Sequence, residues 1–496
     1  QYGSKHLIPA LNLTVEADAS YSAGKRDMLD LRILQYVLLE DGSFGGEGQL
    51  TQPGRVYRFM DEFILDGRLG LEFPLAEPKP NLVRKLKFGG AFRRNQRENS
   101  HAFFAVRGAP DQDGWTVPGR FNMGVDGRFG SLYTPFGTFK DNDIGILDVW
   151  AGYLMTDYGL TPRLRLVAGA RAEFTDMVSD IQRFYRDGIA PEDPIRGLVG
   201  ELATGGASTA EPQPARPGTI ERWDLLPSAN LIYRLIDHET EPMNLRLAYF
   251  RSLARPSFRE FSVVQLYDYQ LRAFTFGNPN LQMVEVDNFD LRLERYFPRQ
   301  NSLSLTGFYK TFRNHIELLR TGGGGFTWRN ADRSVVYGVE LEGRMRVAGP
   351  LELRGNLSWI YSRSDFIVRE YNGSKRTFST PMFGQAPWLA NATLAYSPDS
   401  AGFMASVSYN VQGPRLAIST SEGATEAPRV FEMPRHLLDV TVSKKLGKHW
   451  TIMARGRNLL NAPVRRSYKF ASGYDYDFYS FAWGTEYALN ITYLIK

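Results

Sequence analysis

Arginine and aromatic side chains crowd two stretches of this sequence. Residues 254–283 carry Arg255, Arg259, Tyr267, Tyr269, Arg272, Phe274 and Phe276, followed by Gly277-Asn278-Pro279-Asn280. Residues 459–481 carry Arg465, Arg466, Tyr468, Tyr474, Tyr476, Phe478 and Tyr479. A guanidinium presents a planar fork of donors that matches carboxylates and other anions. Tyrosine stacks on flat ligands or sugar rings and orients them with its hydroxyl. This mixture is typical of binding surfaces. Arg255, Tyr267, Tyr269, Arg272, Phe274, Tyr474, Tyr476 and Tyr479 are therefore the candidate ligand contacts. The competing reading is that the aromatics of these segments simply pack on one another. A second group, Glu340, Glu342, Arg344 and Arg346, occupies alternate positions and so shares one face of a strand. It reads either as a polar network touching something enclosed by the strands, or as an ordinary solvated face.

Catalysis and metal binding find no support. The six His residues (His6, His101, His238, His315, His436, His449) are scattered, with no pair at ligand spacing, and Cys is absent. No G-x-S-x-G or paired-carboxylate motif stands in a suitable context, so no enzyme activity, metal or cofactor is expected. Gly322 to Gly325, beside Phe326 and Trp328, lacks the strand, helix and Lys-Ser/Thr of a phosphate loop and reads as a hairpin tip. Formal net charge is only +5 and the basic residues are dispersed, which speaks against nucleic acid as a partner.

The elements that position these groups are strands. Alternation runs through the chain: Phe63, Leu65, Gly67, Leu69, Leu71, Phe73; Leu303, Leu305, Gly307, Tyr309; Leu351, Leu353, Gly355, Leu357, Trp359, Tyr361; and finally Trp483, Thr485, Tyr487, Leu489, Ile491, Tyr493, Ile495. Mostly polar residues occupy the intervening positions, as in strands with one apolar face. Over 496 residues the mean hydropathy is −0.32, and no stretch reaches the roughly 20 apolar residues of a membrane helix. A transmembrane barrel escapes that criterion, because its strands are only half apolar. Aromatics make up 13% of the chain, and many sit at run ends (Trp359, Trp388, Tyr396, Trp450, Tyr493), where an interfacial girdle would place them.

The connections alternate in length. Short turns lie at 77–81, 159–163, 237–242, 298–301, 349–350, 398–400 and 447–449. Long segments lie at about 23–56, 97–143, 179–222, 254–283, 316–331, 364–386, 413–433 and 459–481. Short turns at one rim and long loops at the other are the signature of a transmembrane barrel. A soluble sandwich has no reason to keep that parity. The expected fold is thus all-β, a transmembrane antiparallel β-barrel with short periplasmic turns and long extracellular loops. About sixteen strands are visible: one near 8–22, seven hairpins, and a closing strand at 482–495.

Several motifs resemble a known family. The run Arg251-Ser-Leu-Ala-Arg-Pro-Ser-Phe-Arg-Glu260, then FTFGNPNL (274–281) and NFDLRLERYF (288–297), is similar to the central barrel region of TonB-dependent outer-membrane transporters. YGVELEG (337–343) and GRNLLNAP (456–463) follow in the family's order, in a style that resembles the Bacteroidota branch. The resemblance is strong over about 220–496 and holds by pattern over 1–220. It implies a probable 22-stranded barrel in the bacterial outer membrane, filled by an N-terminal plug and energised through TonB, that takes up a scarce ligand such as a metal chelate, glycan or peptide. No plug or TonB-contact segment is recognisable, and the chain opens QYGSKHL with neither an initiator Met nor an apolar signal. Residues 1–496 are thus expected to be one barrel domain, with the plug and first strands, about six of them, absent from this chain. Three functions remain in view: the barrel of an uptake receptor, a scaffolding barrel in a larger complex with surface lipoprotein partners, and a passive porin. In the first, Glu340, Glu342, Arg344 and Arg346 would face the plug.

Overall fold

The computed structural model describes residues 2–33, 36–38, 44–46, 54–75, 82–107, 132–135, 143–181, 217–262, 264–268, 271, 273–320, 325–369, 374–398, 402–419, 428–470, 473 and 475–495. Tyr269, Arg272 and Tyr474 lie outside the described residues, as do Gly322 to Gly324 and residues 182–216 of the long segment at 179–222.

One antiparallel sheet of 19 strands dominates the chain. Two of its members, Leu132–Pro135 and Lys375–Thr380, are short segments that extend neighbouring ladders. The other seventeen are the wall. They are β1 (Tyr2–Ile8), β2 (Leu13–Ile33), β3 (Gly54–Pro74), β4 (Arg84–Arg107), β5 (Asp143–Thr161), β6 (Leu164–Ile181), β7 (Gly218–Ile236), β8 (Met243–Ala254) and β9 (Val284–Phe297). After these come β10 (Asn301–Arg313), β11 (Arg333–Ala348), β12 (Leu351–Arg369), β13 (Trp388–Tyr396), β14 (Phe403–Gln412), β15 (Leu437–Leu446), β16 (Trp450–Arg457) and β17 (Glu486–Tyr493). Each pairs with its neighbours in sequence, as in an up-and-down wall. The same ladder continues to β17. β1 and β17 are its edges, and no ladder joins them among the described residues. Both run toward the rim of short turns.

The seven short turns expected from the sequence fall between consecutive, paired wall strands, although residues 77–81 and 399–400 themselves lie outside the described residues. An eighth was hidden inside the expected first strand near 8–22. A one-turn 3-10 segment at Pro9–Leu11, closed by Asn12 in the left-handed conformation (φ 46°), divides it into β1 and β2. Among the described residues the wall therefore has seventeen strands, where about sixteen were expected. The longest wall strand, β4, reaches 24 residues.

Two faces follow from the alternation. On β11, Tyr337, Val339, Leu341, Met345 and Val347 all point outward and are exposed. Ten residue steps separate Tyr337 from Val347; at about 3.4 Å per residue and a tilt of about 40–45°, they cover about 25 Å of membrane normal. That is the thickness of the apolar band of a membrane barrel. Its upper edge is a ring ladder in direct register: Tyr249, Phe289, Tyr309, Tyr337 and Tyr361 stand opposite one another on β8 to β12. Centroids are 4.9 Å apart for Tyr249 and Phe289 and 4.9 Å for Tyr337 and Tyr361. Trp150 on Phe92 (4.1 Å) and Trp223 on Phe174 (5.1 Å) form the same kind of belt on β4 to β7.

The inward face is polar. Above the belt both faces are polar, as in Arg93-Arg-Asn-Gln-Arg-Glu-Asn99 of β4. There the long segments build a layer of their own. One four-stranded sheet orders Gln265–Asp268, Ala273–Phe276, Phe326–Asn330 and Ile316–Arg320. A second orders Arg415–Ile418, Arg429–Glu432, Val464–Lys469 and Asp475–Phe481. A bridge between Leu319 and Ser419 connects them. The buried apolar clusters lie mainly here: Leu318, Phe326, Ile418 and Val430 in one, Leu319, Ala331 and Phe366 in another.

Candidate functional site

The loop layer is seated on the inner face of the wall. Helix Phe258–Phe261 begins with a capping box, in which Ser257 accepts from the Glu260 amide and Glu260 from the Ser257 amide. Its Phe258 and Phe261 are buried with Met177, Ile220, Leu281 and Met283. Gly145 makes this seat: a Cβ there would lie 2.2 Å from Phe258 Cδ1. Arg255 completes the anchor. Its Nη2 lies 2.5 Å from Glu173 Oε2 and 2.8 Å from Thr175 Oγ1, both on the inward face of β6. The residue proposed from sequence as a ligand contact is thus bound to the wall.

The other residues selected from sequence are distributed as follows. Tyr267 and Phe274 are direct Cα partners across one hairpin of the first sheet. Tyr479 pairs in register with Arg466, and its ring is 5.1 Å from Phe481. Tyr476 is 70% exposed. Part of the aromatic content does pack on itself: Tyr468 meets Phe478 edge-on at 5.3 Å within the apolar cluster of Leu318 and Ile418. Near neighbours in the second sheet are ionic. The Arg465 guanidinium and the Ser467 hydroxyl hold the Asp477 carboxyl below the usual carboxylate range.

Five long segments converge on a cavity of about 380 Å³ in this layer. Three guanidinium groups line it: Arg259 from the helix, Arg415 and Arg466 from the second sheet. Two carboxylates accompany them. Glu432 receives Arg415 at 2.6 Å and Arg466 at 3.5 Å, and Asp268 receives Arg259 at 3.4 Å. The cationic groups outnumber the acids by one. Trp328 and Phe383 form an aromatic corner, edge-on with centroids 6.5 Å apart. Three lining residues hold buried side-chain polar atoms with no hydrogen-bond partner among the described residues, Trp328 Nε1, Thr275 Oγ1 and Arg466 Nε. Such atoms are costly to leave unpaired. The size is within the range of small-molecule sites. No group of three or more His, Cys, Asp or Glu side chains suited to a metal occurs among the described residues.

The row Glu340, Glu342, Arg344, Arg346 lies on the inward face of β11. Glu342 accepts from Ser304 at 2.9 Å and pairs with Arg292 at 2.6 Å. Glu340 accepts from Asn356 at 3.1 Å and Ser358 at 3.3 Å. Arg344 reaches Glu352 at 2.9 Å, and the Arg346 amide donates to Asn301 Oδ1 at 2.7 Å. The row is a cross-linked lumen wall rather than a loose array of charges.

A family model described as TonB-dependent receptor-like β-barrel matches residues 15–459. The chain belongs to the TonB-dependent receptor family. It is a multi-strand β-barrel chain of the bacterial outer membrane, and the belts and apolar band are its lipid-facing surface. No curated protein matches the sequence. Solved structures do. The ferric-catecholate import receptor Fiu from Escherichia coli K12 is 14% identical with a TM-score of 0.59, over 97% of this chain and 62% of that one. The siderophore receptor PiuA from Acinetobacter baumannii is 12% identical with a TM-score of 0.59, over 99% and 63%. The copper transporter OprC is 14% identical with a TM-score of 0.57, over 97% and 62%. This chain therefore spans less than two thirds of the length of these proteins, and at such identities the likeness is one of fold.

Sequence reasoning overlooked the cavity because its walls come from segments distant in sequence. Arg259, Arg466 and Trp328 stand in stretches it noted. Arg415 and Glu432 come from the 413–433 segment, whose composition carries no signal; only their register, one opposite the other, brings them together.

Proposed function

We propose that this chain forms most of the wall and the outer loop layer of a TonB-dependent uptake receptor, and that the cavity in the loop layer captures an anionic, ring-bearing ligand such as a metal chelate. The observation that carries this reading is the pairing of Arg415, Arg466 and Arg259 with the Trp328–Phe383 corner around one cavity. Guanidinium groups select carboxylate or catecholate oxygens, and the rings supply flat apolar contact. An excess of cationic groups disfavours a neutral glycan. The receptors of similar fold carry names that refer to ferric catecholate, siderophore and copper, in keeping with a metal-bearing ligand.

Under the same reading, the plug and the remaining wall strands are supplied outside residues 1–496. β1 and β17 run in the same direction, so antiparallel closure between them needs an odd number of further strands; five would give the 22 of the family. The inward charges Glu340, Glu342, Arg344 and Arg346 then face the plug, and TonB acts through that missing part.

Equilibrium titration of the intact receptor in detergent tests the ligand class. Ferric citrate and a ferric tricatecholate should bind, and a neutral oligosaccharide should not. Arg415→Ala and Arg466→Ala should each weaken chelate binding by about 10- to 100-fold, the loss of one charge-assisted contact. Equal affinity of wild type and both variants for every chelate would overturn the assignment.

A further inference from the structure

Glu317 lies directly behind the cavity, on the strand Ile316–Arg320. Leu318 points into the cavity; Glu317, one residue earlier, points the other way and has no exposed surface. Its Oε1 accepts the Phe383 amide at 3.2 Å. The Ser364 hydroxyl, which itself accepts from Ser334 at 2.8 Å, also bonds this carboxylate, while Oε2 has no partner among the described residues.

Phe383 sits on a tight turn whose amides are all held. Met382 donates to Ser362 Oγ at 3.2 Å, Gly384 to the Leu416 carbonyl at 2.9 Å, and Gln385 to the Met382 carbonyl at 3.2 Å. Gly384 has φ +74°, a conformation suited to glycine. Of these anchors only the one to Phe383 comes from an ionisable group, and the Phe383 ring is half of the aromatic corner. We propose that Glu317 is a proton-sensitive positioning residue: its carboxyl group holds the Phe383 wall in place and thereby couples ligand capture to pH. This rests on the cavity being the ligand site.

The surroundings set the direction. Burial pushes the Glu317 carboxyl up to about 7. From its own strand end, His315 approaches with Nε2 at 3.8 Å, but burial lowers that imidazole to about 4, leaving it neutral near pH 7. From the second sheet Arg429 acts at a distance, its guanidinium bound to the Ser379 carbonyl. Arg329, the register partner of Glu317, donates to the Ile367 carbonyl. Ser364 and Thr380 from the wall are neutral. Glu317 is therefore the group of this cluster that titrates near neutrality.

Its folded value lies above the ordinary carboxylate value of 4.5. The closed turn thus binds more protons than an opened, hydrated one, and closure weakens as pH rises from about 4.5 to about 7. A ligand filling the cavity removes water from the far side of the strand and, if anionic, adds negative charge. Both effects disfavour the carboxylate. Ligand binding then takes up a proton, and by reciprocity affinity falls as pH rises above about 7.

Two measurements on the intact receptor test this, each on wild type and Glu317→Gln, which keeps the acceptor and removes the titration. Amide exchange over residues 381–386, normalised for chemical exchange, should lose up to about tenfold protection per pH unit between about pH 5 and 7 in wild type and stay level in the variant. Ferric citrate affinity should fall above about pH 7 more steeply in wild type than in the variant, whose profile reports only the probe's own titration. Parallel wild-type and variant profiles in both measurements would overturn the proposal, even with binding intact. A wild-type exchange profile that differs from the variant, with no chelate bound by either protein, would refute the cavity as ligand site and leave Glu317 as the proton-sensitive anchor of the turn. Should Glu317→Gln not fold, the wild-type carboxyl band in infrared spectra decides: a midpoint near 7 supports the proposal, and one near 4.5 overturns it.

Discussion

Replacing Leu357 with Arg should cost the receptor much of its folding stability in the membrane, whereas the same change at Asn356 should cost little. Leu357 is 55% exposed on the outward face of β12 and stands in register with Leu341 and Ala390. Leu341 is four residues below Tyr337 of the aromatic ladder, about 10 Å down the membrane normal at the tilt of such strands. That places Leu357 near the middle of the apolar band. An Arg there costs about 2–4 kcal/mol, or about a 25- to 700-fold loss in the folding equilibrium. Asn356 points inward, where its amide donates to Glu340 and its register partner is Glu342; an Arg at that position meets two carboxylates and should shift stability by about 0.5 kcal/mol or less. Denaturant titration in lipid vesicles, followed by heat-modifiable mobility, compares the two. Equal losses, or a larger loss for Asn356→Arg, would refute the assigned facing. Leu305→Arg, at the same level on β10, should repeat the Leu357 result.

Other expectations concern the loop layer. Gly145→Val should collide with Phe258 and cost about 1–3 kcal/mol of local stability, read as faster proteolysis at residues 255–262 with the wall intact; unchanged cleavage would contradict the seat described. Arg255→Ala should leave Glu173 with Arg171 as its remaining guanidinium partner and speed amide exchange across residues 254–262. Unaltered exchange there would show that the helix holds the wall without that ion pair. Tyr476→Ala should leave chelate affinity unchanged to within about twofold, since its ring is exposed rather than packed in the layer; a loss of about tenfold or more would extend the ligand surface beyond the cavity.

The fold was legible in the sequence wherever lipid and lumen impose opposite chemistries on alternate residues. Leu303, Leu305 and Tyr309 show this on β10, and the parity of short and long connections followed. Legibility failed where that contrast vanishes. Arg97 to Asn99 extend β4 above the belt, where polar residues stand on both faces, and so read as loop. Tyr2, Ser4, His6 and Ile8 mix polar and apolar types on one face of β1, which disguised the strand and its turn at Pro9–Leu11. For the site, Arg and Tyr enrichment pointed to segments of the loop layer, while the walls of the cavity depend on register. Arg255 proved to be an anchor on Glu173, while Arg415 and Glu432 gain meaning only from register. Glu317, one acid in an apolar strand, carried a signal that composition dilutes: a carboxyl group between Ile316 and Leu318 must be satisfied from inside the protein.

The most direct test of uptake by this receptor is accumulation of radiolabelled ferric chelate in cells that do or do not carry TonB, with wild type compared against Arg415→Ala/Arg466→Ala. Accumulation that needs TonB and falls at least about tenfold in the double variant is the expected result. Equal accumulation without TonB would mean a passive pore. TonB-dependent accumulation untouched by the double variant would mean that the ligand is captured elsewhere than in the cavity of Arg415, Arg466 and Trp328.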